Sequence, residues 1–189
     1  ALERGLNFWD TAEMYPVPPK PETQGRTESI IGNWIAQHGG RDQLFIASKI
    51  AGPSQGGSHI RDGQTRFTAA EISSALDDSL KRLQTDYIDL YQLHWPQRNT
   101  NFFGKLGYSN NEALDEKPVT ALAETLVALA EEVEKGRIRH IGLSNETPWG
   151  TMKFLQLAEQ LGIDKIVSVQ NPYNLLNRSY EIGMAEIAK

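Results

Sequence analysis

Short apolar runs alternate along this chain with segments whose apolar residues recur every three or four positions. The apolar runs predict five β-strands, at 6–9, 44–49, 87–93, 138–143 and 166–169. The apolar stripes of helical period predict helices at 28–37, 68–83, 119–135, 147–162 and 179–189. This regular alternation of strand and helix is typical of α/β proteins with a parallel sheet.

Local signals predict where two of these helices begin and end. Thr68 and Glu71 form a capping box, in which each side chain hydrogen-bonds the main chain of the other residue. Thr147 is a helix cap, and Pro148 then occupies the first helical position. Gly162 predicts the end of that helix.

Two parallel architectures fit this order of elements, an open doubly wound sheet and a closed eight-stranded barrel. A doubly wound nucleotide-binding sheet favours the pattern Gly-x-Gly-x-x-Gly after a strand, and none of these strands has it. Links from strand to helix are long, at 16–26, 51–67 and 96–118, whereas links from helix to strand are short. Long loops at the carboxyl ends of the strands are typical of barrel enzymes. We therefore predict a (β/α)8 TIM barrel, with about five β-α units in a single incomplete domain at 1–189.

Composition and charge exclude several classes of function. The chain is 39% hydrophobic and 23% charged, which is typical of a globular protein and excludes wholesale disorder. Its net charge of −5 argues against a nucleic-acid partner, and no apolar run approaches the roughly 20 residues of a membrane helix. The chain has no cysteine, so disulfides and thiolate metal sites are excluded; no metal site is predicted and a cytoplasmic location is expected. Arg137 and Arg139, at the start of the fourth strand, are expected to be solvated charges.

Ionisable residues follow the carboxyl ends of three predicted strands. Asp10 and Tyr15 follow the first strand, Lys49 the second and His94 the third. In a barrel these strand ends share one face, so we expect the four side chains to form one cluster. Each residue taken singly also has a structural explanation, as a loop cap, a packed aromatic, a snorkelling lysine or a core histidine. Their joint placement favours a common site.

The four side chains suit the protonation of a carbonyl oxygen. A tyrosine with its reference pKa of about 10 is a poor acid at neutral pH, and a nearby lysine ammonium would lower that pKa. Asp10 would keep Lys49 charged, and His94 would donate to a carbonyl or relay the proton. No side chain delivers a hydride, so a reduced nicotinamide or flavin cofactor is implied.

Five motifs, in this order along the chain, resemble those of the aldo-keto reductase family. They are Asp10 with Tyr15 five positions later, Ala47–Lys49, Leu93–Pro96, Gly142–Asn145 and Val169–Gln170. The residues at 12–19, 94–98 and 171–178 are most similar to its bacterial Tas-type branch. The resemblance implies a (β/α)8 barrel that uses NADPH to reduce small aldehydes and ketones, with this chain matching the family's second to sixth strands.

The resemblance also implies a role for each matching residue. Tyr15 would be the proton donor, Lys49 and Asp10 would lower its pKa, and His94 would orient the substrate carbonyl. The residues that would hydrogen-bond the nicotinamide carboxamide are Ser144, Asn145 and Gln170, and Trp95 would line the substrate pocket. The residues alone leave other interpretations open, since Ser144 and Asn145 could form a loop start, Gln170 could satisfy main-chain groups, and Trp95 could be a core aromatic.

Two other functions stay open at this level. A Schiff-base aldolase would use Lys49 as its nucleophile, but it needs a neutral lysine, and Asp10 would oppose that. A non-enzymatic regulatory subunit could bind NADPH on the same fold, although the complete set of four ionisable residues argues against it. The resemblance further places the first strand, the aromatic that stacks on the nicotinamide and the 2′-phosphate loop outside this chain. We expect either a parent protein roughly twice as long or a fragment without activity.

Overall fold

Five strands form one sheet in this protein, for which a computed structural model describes residues 2–53, 59–63, 65–103, 107–108 and 120–189. The strands are β1 (Phe8–Asp10), β2 (Phe45–Ile50), β3 (Ile88–Leu93), β4 (Ile138–Ser144) and β5 (Ser168–Gln170). They lie side by side in chain order, and every neighbouring pair is parallel. The sheet curls into half of a barrel, which confirms the predicted fold class, a (β/α)8 barrel present in part.

Among the described residues, one α-helix lies between each strand and the next. These helices are α1 (Arg26–His38), α2 (Ala69–Leu83), α3 (Leu122–Glu134) and α4 (Pro148–Leu161), and a short α5 (Met184–Ile187) follows β5. The capping box at Thr68 and Glu71 forms as predicted. Thr147 caps α4 by accepting from the main chain of Gly150, and Gly162 ends that helix with φ 65°. Among the described residues, no helix combines the length and the apolar character needed to cross a bilayer.

The observed elements depart from the prediction mainly at the two ends of the chain. β1 begins at Phe8 rather than at residue 6, and β5 covers Ser168–Gln170 rather than 166–169. The last predicted helix is divided into a 3-10 turn at Ser179–Glu181 and the four-residue α5, because Gly183 adopts a φ of 85° between them. Val119, the predicted start of the third helix, lies outside the described residues.

The main hydrophobic core lies between the outer face of the sheet and the helices. Its strand residues include Ile46, Ile50, Tyr91, Leu93, Ile141 and Leu143, which share the outer face of their strands. Helix residues such as Ile72, Leu129 and Phe154 pack against them. Since successive strand side chains point to opposite faces, the intervening residues lie on the inner face of the half-barrel. That inner face carries most of the polar residues described below.

Two arginines at the start of β4 are paired with carboxylates. Arg137 donates from Nε to Glu132 over 2.6 Å, and Arg139 donates from Nη1 to Asp89 over 3.0 Å. The guanidinium of Arg139 also lies 3.9 Å from the centre of the Tyr87 ring. The expectation of a solvated charge is therefore wrong for Arg137, which is 24% exposed and paired, whereas Arg139 is 54% exposed and stays solvated although it is paired.

Candidate active site

The carboxyl ends of β1, β2 and β3 bring the four predicted ionisable residues together. Asp10 ends β1, Lys49 is the penultimate residue of β2, and His94 directly follows β3. Tyr15 lies in the loop after β1, and its ring centre is 5.6 Å from that of His94. The Nζ atom of Lys49 is 5.2 Å from the centre of the Tyr15 ring. All four side chains therefore belong to one cluster at one end of the sheet.

Lys49 is held by three hydrogen bonds. Its Nζ atom donates to both carboxylate oxygens of Asp10 over 2.8 Å and to the main-chain oxygen of Thr11 over 2.7 Å. The Lys49 side chain is 1% exposed, whereas that of Asp10 is 31% exposed. Burial lowers the pKa of Lys49, and the hydrogen bond and charge of Asp10 act in the opposite direction. An opposite charge at this distance favours the protonated amine, so the ion pair with Asp10 supports the charged form of Lys49.

The pKa of Tyr15 is raised, with burial as the larger cause and the charge of Asp10 as the second. The sequence-based expectation was the opposite, a pKa lowered by Lys49 and Asp10, and it is wrong for two physical reasons. The half-buried phenol loses the water that would stabilise a phenolate. Lys49 also directs its N–H groups at Asp10 and Thr11, so its charge is largely balanced before it acts on the phenol. Tyr15 is therefore protonated at neutral pH.

His94 is a buried, neutral imidazole. The residue is 6% exposed, and burial lowers its pKa to about 3, with the charge of Lys49 as the second cause. Its Nδ1 atom is buried and has no hydrogen-bond partner among the described residues. A neutral imidazole has one N–H donor and one acceptor nitrogen. His94 can therefore donate a hydrogen bond to a ligand oxygen without bringing a second positive charge next to Lys49.

Polar residues at the ends of β4 and β5 extend this cluster. Asn145 follows β4 with a left-handed φ of 55°, and its Nδ2 atom donates to the main-chain oxygen of His94 over 2.9 Å and to Ser144 Oγ over 3.1 Å. Gln170 ends β5, and its Nε2 atom donates to Asp10 over 3.2 Å. The three residues predicted to bind a cofactor thus lie beside the ionisable ones.

These three side chains also suit the binding of a carboxamide. A carboxamide has an acceptor oxygen and two N–H donors, so it needs both donors and acceptors from its site. The hydroxyl of Ser144 and the amides of Asn145 and Gln170 include both kinds of group. Gln170 is exposed, so its amide is accessible from solvent. The residues present therefore fit the nicotinamide end of a cofactor.

Gln92 belongs to the cluster, although it was missed in the interpretation of the sequence. It is 2% exposed and lies opposite Lys49 in the pairing of β2 with β3. Its Nε2 atom is 3.5 Å from Asp10 Oδ1 and 3.5 Å from Gln170 Oε1. The alternation of strand side chains was the available signal, because Gln92 precedes His94 by two positions and so shares its face. Gln92 connects the ionisable residues to the amide at the end of β5.

Trp95 is packed behind His94 in a small separate hydrophobic cluster. It is 8% exposed and contacts Ala51 and Ile60 in that cluster. Its indole N–H donates to the main-chain oxygen of Pro53 over 3.0 Å. Trp95 thus attaches the loop after β2 to the end of β3, which agrees with the core-aromatic alternative. Its place in the wall of a substrate pocket stays a prediction.

Comparisons with known proteins all point to the same family. The model of the aldo/keto reductase family matches residues 1–189. Protein tas of Escherichia coli strain K12 is 56% identical over 190 residues, which cover 100% of this chain and 54% of that protein. The aldo-keto reductase YhdN of Bacillus subtilis is 32% identical over 189 residues, covering 100% of this chain and 46% of that protein. The aldo-keto reductase yakc of Schizosaccharomyces pombe, whose name includes NADP(+), is 30% identical over 192 residues, with 100% and 46% covered. The chain spans about half the length of these curated relatives.

Proposed function

The chain belongs to the aldo/keto reductase family, and from this premise we propose that it contains the proton-donating site of an NADPH-dependent carbonyl reductase. The substrate is a small aldehyde or ketone and the product the corresponding alcohol. The observation that carries the proposal is the grouping of a protonated Tyr15, an ion-paired Lys49 and a neutral His94 at one end of the sheet. The cytoplasmic location and the assignment of 1–189 to one incomplete barrel domain stay predictions.

The cofactor's nicotinamide is assigned to the ends of β4 and β5. A reduced nicotinamide supplies, when bound, the hydride that no side chain can provide. Asn145 donates its two hydrogen bonds through Nδ2, so its amide oxygen is the atom that accepts from a ligand amide. Ser144 and Gln170 contribute the hydroxyl and the second amide. The choice of NADPH rests on the family and on the name of the Schizosaccharomyces pombe relative.

Tyr15 is the proposed proton donor. Because its pKa is raised, the phenol keeps its proton at neutral pH and can transfer it to a carbonyl oxygen that gains negative charge. The transfer moves that negative charge onto the phenolate. Lys49 Nζ lies 5.2 Å from the Tyr15 ring centre and attracts this charge, but the Asp10 carboxylate paired with Lys49 balances most of that attraction. Lys49 and Asp10 together therefore set how readily Tyr15 gives up its proton.

His94 is the proposed second donor to the same oxygen. Its ring lies edge-on to that of Tyr15, with 5.6 Å between the ring centres, so the two side chains can reach one oxygen atom. The imidazole is neutral, and its remaining N–H can orient the carbonyl without losing a proton. The hydrogen bond from Asn145 to the main-chain oxygen of His94 helps to hold this residue in place.

The geometry around Lys49 favours the reductase over the Schiff-base aldolase. A nucleophilic lysine needs a free electron pair on Nζ, whereas Lys49 donates three hydrogen bonds from that atom. Burial alone would favour the neutral amine, and the Asp10 carboxylate opposes it. The carboxylate lies 2.8 Å from Nζ, and an opposite charge at this distance favours the protonated amine, which is not a nucleophile.

The proposal is tested by NADPH oxidation in the full-length protein with an aromatic aldehyde at neutral pH. Tyr15→Phe should lower turnover by about 10²-fold to 10⁴-fold, the usual contribution of a positioned acid, while NADPH binding measured by fluorescence is retained. Tyr87→Phe is the matched control, because it removes a phenol hydroxyl at the opposite end of the sheet, and its turnover should equal that of the wild type.

Two results would contradict the proposal. Equal turnover of the wild type and Tyr15→Phe would remove Tyr15 as the proton donor. Binding of NADPH by the wild type without turnover, over a broad set of carbonyl compounds, would favour the regulatory-subunit alternative. A substrate trapped on Lys49 by borohydride would favour the aldolase.

A further inference from the structure

Glu13 is a buried acidic residue that the proposed proton transfer does not use. It precedes Tyr15 by two positions and is 1% exposed. Its carboxylate accepts a hydrogen bond from the main-chain N–H of Ala51 over 2.5 Å and another from Arg61 Nη1. The Nη2 atom of Arg61 is also 3.5 Å from the main-chain oxygen of Ala51. The Glu13–Arg61 ion pair therefore joins the loop after β1 to the loop after β2.

Main-chain hydrogen bonds also join the loop after β1 to the end of β2. The N–H of Glu13 donates to the main-chain oxygen of Lys49 over 3.1 Å, and the N–H of Tyr15 donates to that of Ala12 over 3.1 Å. Glu13 is thus attached to the segment 49–51 through its backbone and through its side chain. Lys49 belongs to the same segment. Glu13 therefore connects the loop that carries the Tyr15 phenol to the strand that carries the Lys49 ammonium group.

The loop after β2 adopts a backbone conformation that needs support. Arg61 and Asp62 have φ angles of 48° and 53°, in the left-handed region that residues other than glycine seldom occupy. Such conformations persist where surrounding contacts compensate for their cost. The ion pair with the buried Glu13 is a contact of this kind, because it holds the Arg61 side chain, which is 13% exposed, against the end of β2.

The charge of Glu13 depends on Arg61. Burial raises the pKa of Glu13, while the charge of Arg61 and the hydrogen bond from Ala51 act in the opposite direction. Loss of the Arg61 guanidinium would therefore favour the neutral acid. A neutral carboxyl is a weaker acceptor for the Ala51 N–H than a carboxylate is. Removing either partner consequently weakens the link between the two loops.

We propose that the Glu13–Arg61 ion pair positions Tyr15, by fixing the loop after β1 against the end of β2 so that the phenol stays beside Lys49 and His94. This inference rests on the proposed role of Tyr15 as the proton donor. Glu13 and Arg61 act through the main chain of residues 11–15 and are positioning residues. The pair sets the distance from the phenol to the reacting oxygen, and proton transfer is sensitive to that distance.

A double-mutant cycle tests whether the two residues act as a pair. Glu13→Gln keeps an acceptor for the Ala51 N–H but removes the charge, and Arg61→Met removes the guanidinium. We expect each single variant to lower kcat by about 10-fold, within the range known for a misplaced reacting group, with little change in the KM for NADPH. The double variant should resemble the single ones, because either change already breaks the same interaction. Losses that multiply in the double variant would contradict the pairing.

Arg41→Met is the matched control. It breaks an ion pair of similar burial, in which Arg41 Nη2 donates over 2.7 Å to Asp89, whose side chain is 2% exposed. Asp89 is the second residue of β3, at the end of the sheet opposite Tyr15. Arg41→Met should therefore lower the melting temperature while leaving kcat close to that of the wild type. If Glu13 and Arg61 only stabilise the fold, their variants will also show a lowered melting temperature with an unchanged kcat. That result would overturn the proposal.

Hydrogen–deuterium exchange provides a measurement that does not need turnover. Amides of residues 11–15 should exchange faster in Arg61→Met than in the wild type, and at the wild-type rate in Arg41→Met. If the wild type has no turnover, the proposed reductase function fails, while this comparison still decides whether the pair fixes the loop. Unchanged exchange in the folded variant would overturn the inference. Should Arg61→Met fail to fold, Glu13→Gln decides by the same measurements.

Discussion

Replacing His94 with asparagine tests the buried neutral imidazole on which the proposed site depends. Burial lowers the pKa of His94 from 6.5 to about 3 in the folded chain. Between these two values the unfolded chain binds a proton at this residue and the folded chain does not. The stability that the neutral imidazole contributes is therefore fully present above the pKa of the unfolded chain, and it is lost as the pH decreases from there toward 3. His94→Asn removes this contribution to the pH dependence.

The expected size of the effect follows from the two pKa values. Integrating the difference in bound protons from pH 7.5 to pH 5 gives a loss of about 2 kcal/mol in the free energy of unfolding. For a chain of this size that corresponds to about 4–8 °C in melting temperature. Other groups also contribute to the total; the raised pKa of Glu13, for example, makes stability rise as the pH falls. Because both proteins contain those groups, the measured quantity is the difference between the wild type and His94→Asn.

Urea unfolding at pH 7.5 and pH 5 measures this difference directly. The wild type should lose about 2 kcal/mol more than His94→Asn over this interval. His38→Asn is the control, because His38 is exposed at the end of α1, and it should follow the wild type. Equal losses in the wild type and His94→Asn would refute the reasoning, since the imidazole would then not be held neutral by burial, and its role as an uncharged donor would fail.

Two further predictions concern the charge next to Tyr15 and the packing of the helices. Asp10→Asn removes the second cause of the raised Tyr15 pKa, so the tyrosinate absorbance of this residue, taken as the difference from Tyr15→Phe, should appear at lower pH. An unchanged titration curve would mean that Asp10 does not contribute to the raised pKa of Tyr15. Gly32→Ala would place a Cβ atom 2.2 Å from the main-chain oxygen of Arg82, where α1 meets α2, so we expect a destabilisation of about 1–3 kcal/mol in chemical denaturation. Gln37→Ala, on the exposed side of α1, should change stability by less than about 0.5 kcal/mol, and equal effects would contradict the close packing.

Several features of the fold could be predicted because they depend on local patterns. The caps at Thr68 and Thr147 involve residues three positions apart, so both appear in the sequence before any tertiary contact is considered. The placement of Lys49 and His94 at strand ends followed from the apolar runs before them. The less accurate boundaries lie at β1, β5 and the last helix, where an edge strand has one neighbour in the sheet or a helix has few tertiary contacts.

The sequence predicted most of the residues that form the site, but only part of how they contact one another. Alternation along β3 would have identified Gln92 as a neighbour of His94, had it been applied to polar residues as well as to apolar ones. The partner of Arg61 could not be inferred in the same way. Glu13 and Arg61 are 48 positions apart, and the conformation of the loop after β2 decides whether they meet. Arg139 and Asp89, 50 positions apart, are a second example.

The sequence by itself determined the order of parallel strands and helices and the side of the sheet on which Asp10, Tyr15, Lys49 and His94 lie. These features follow from periodicity, because a strand that is followed by a helix must present its carboxyl end to the same face each time. Only the tertiary structure decided how these groups are charged. The pKa of Tyr15 is raised because the fold buries its ring and directs the ammonium group of Lys49 at Asp10 and Thr11. Burial and distance depend on contacts between residues far apart in the chain, and no local pattern encodes them.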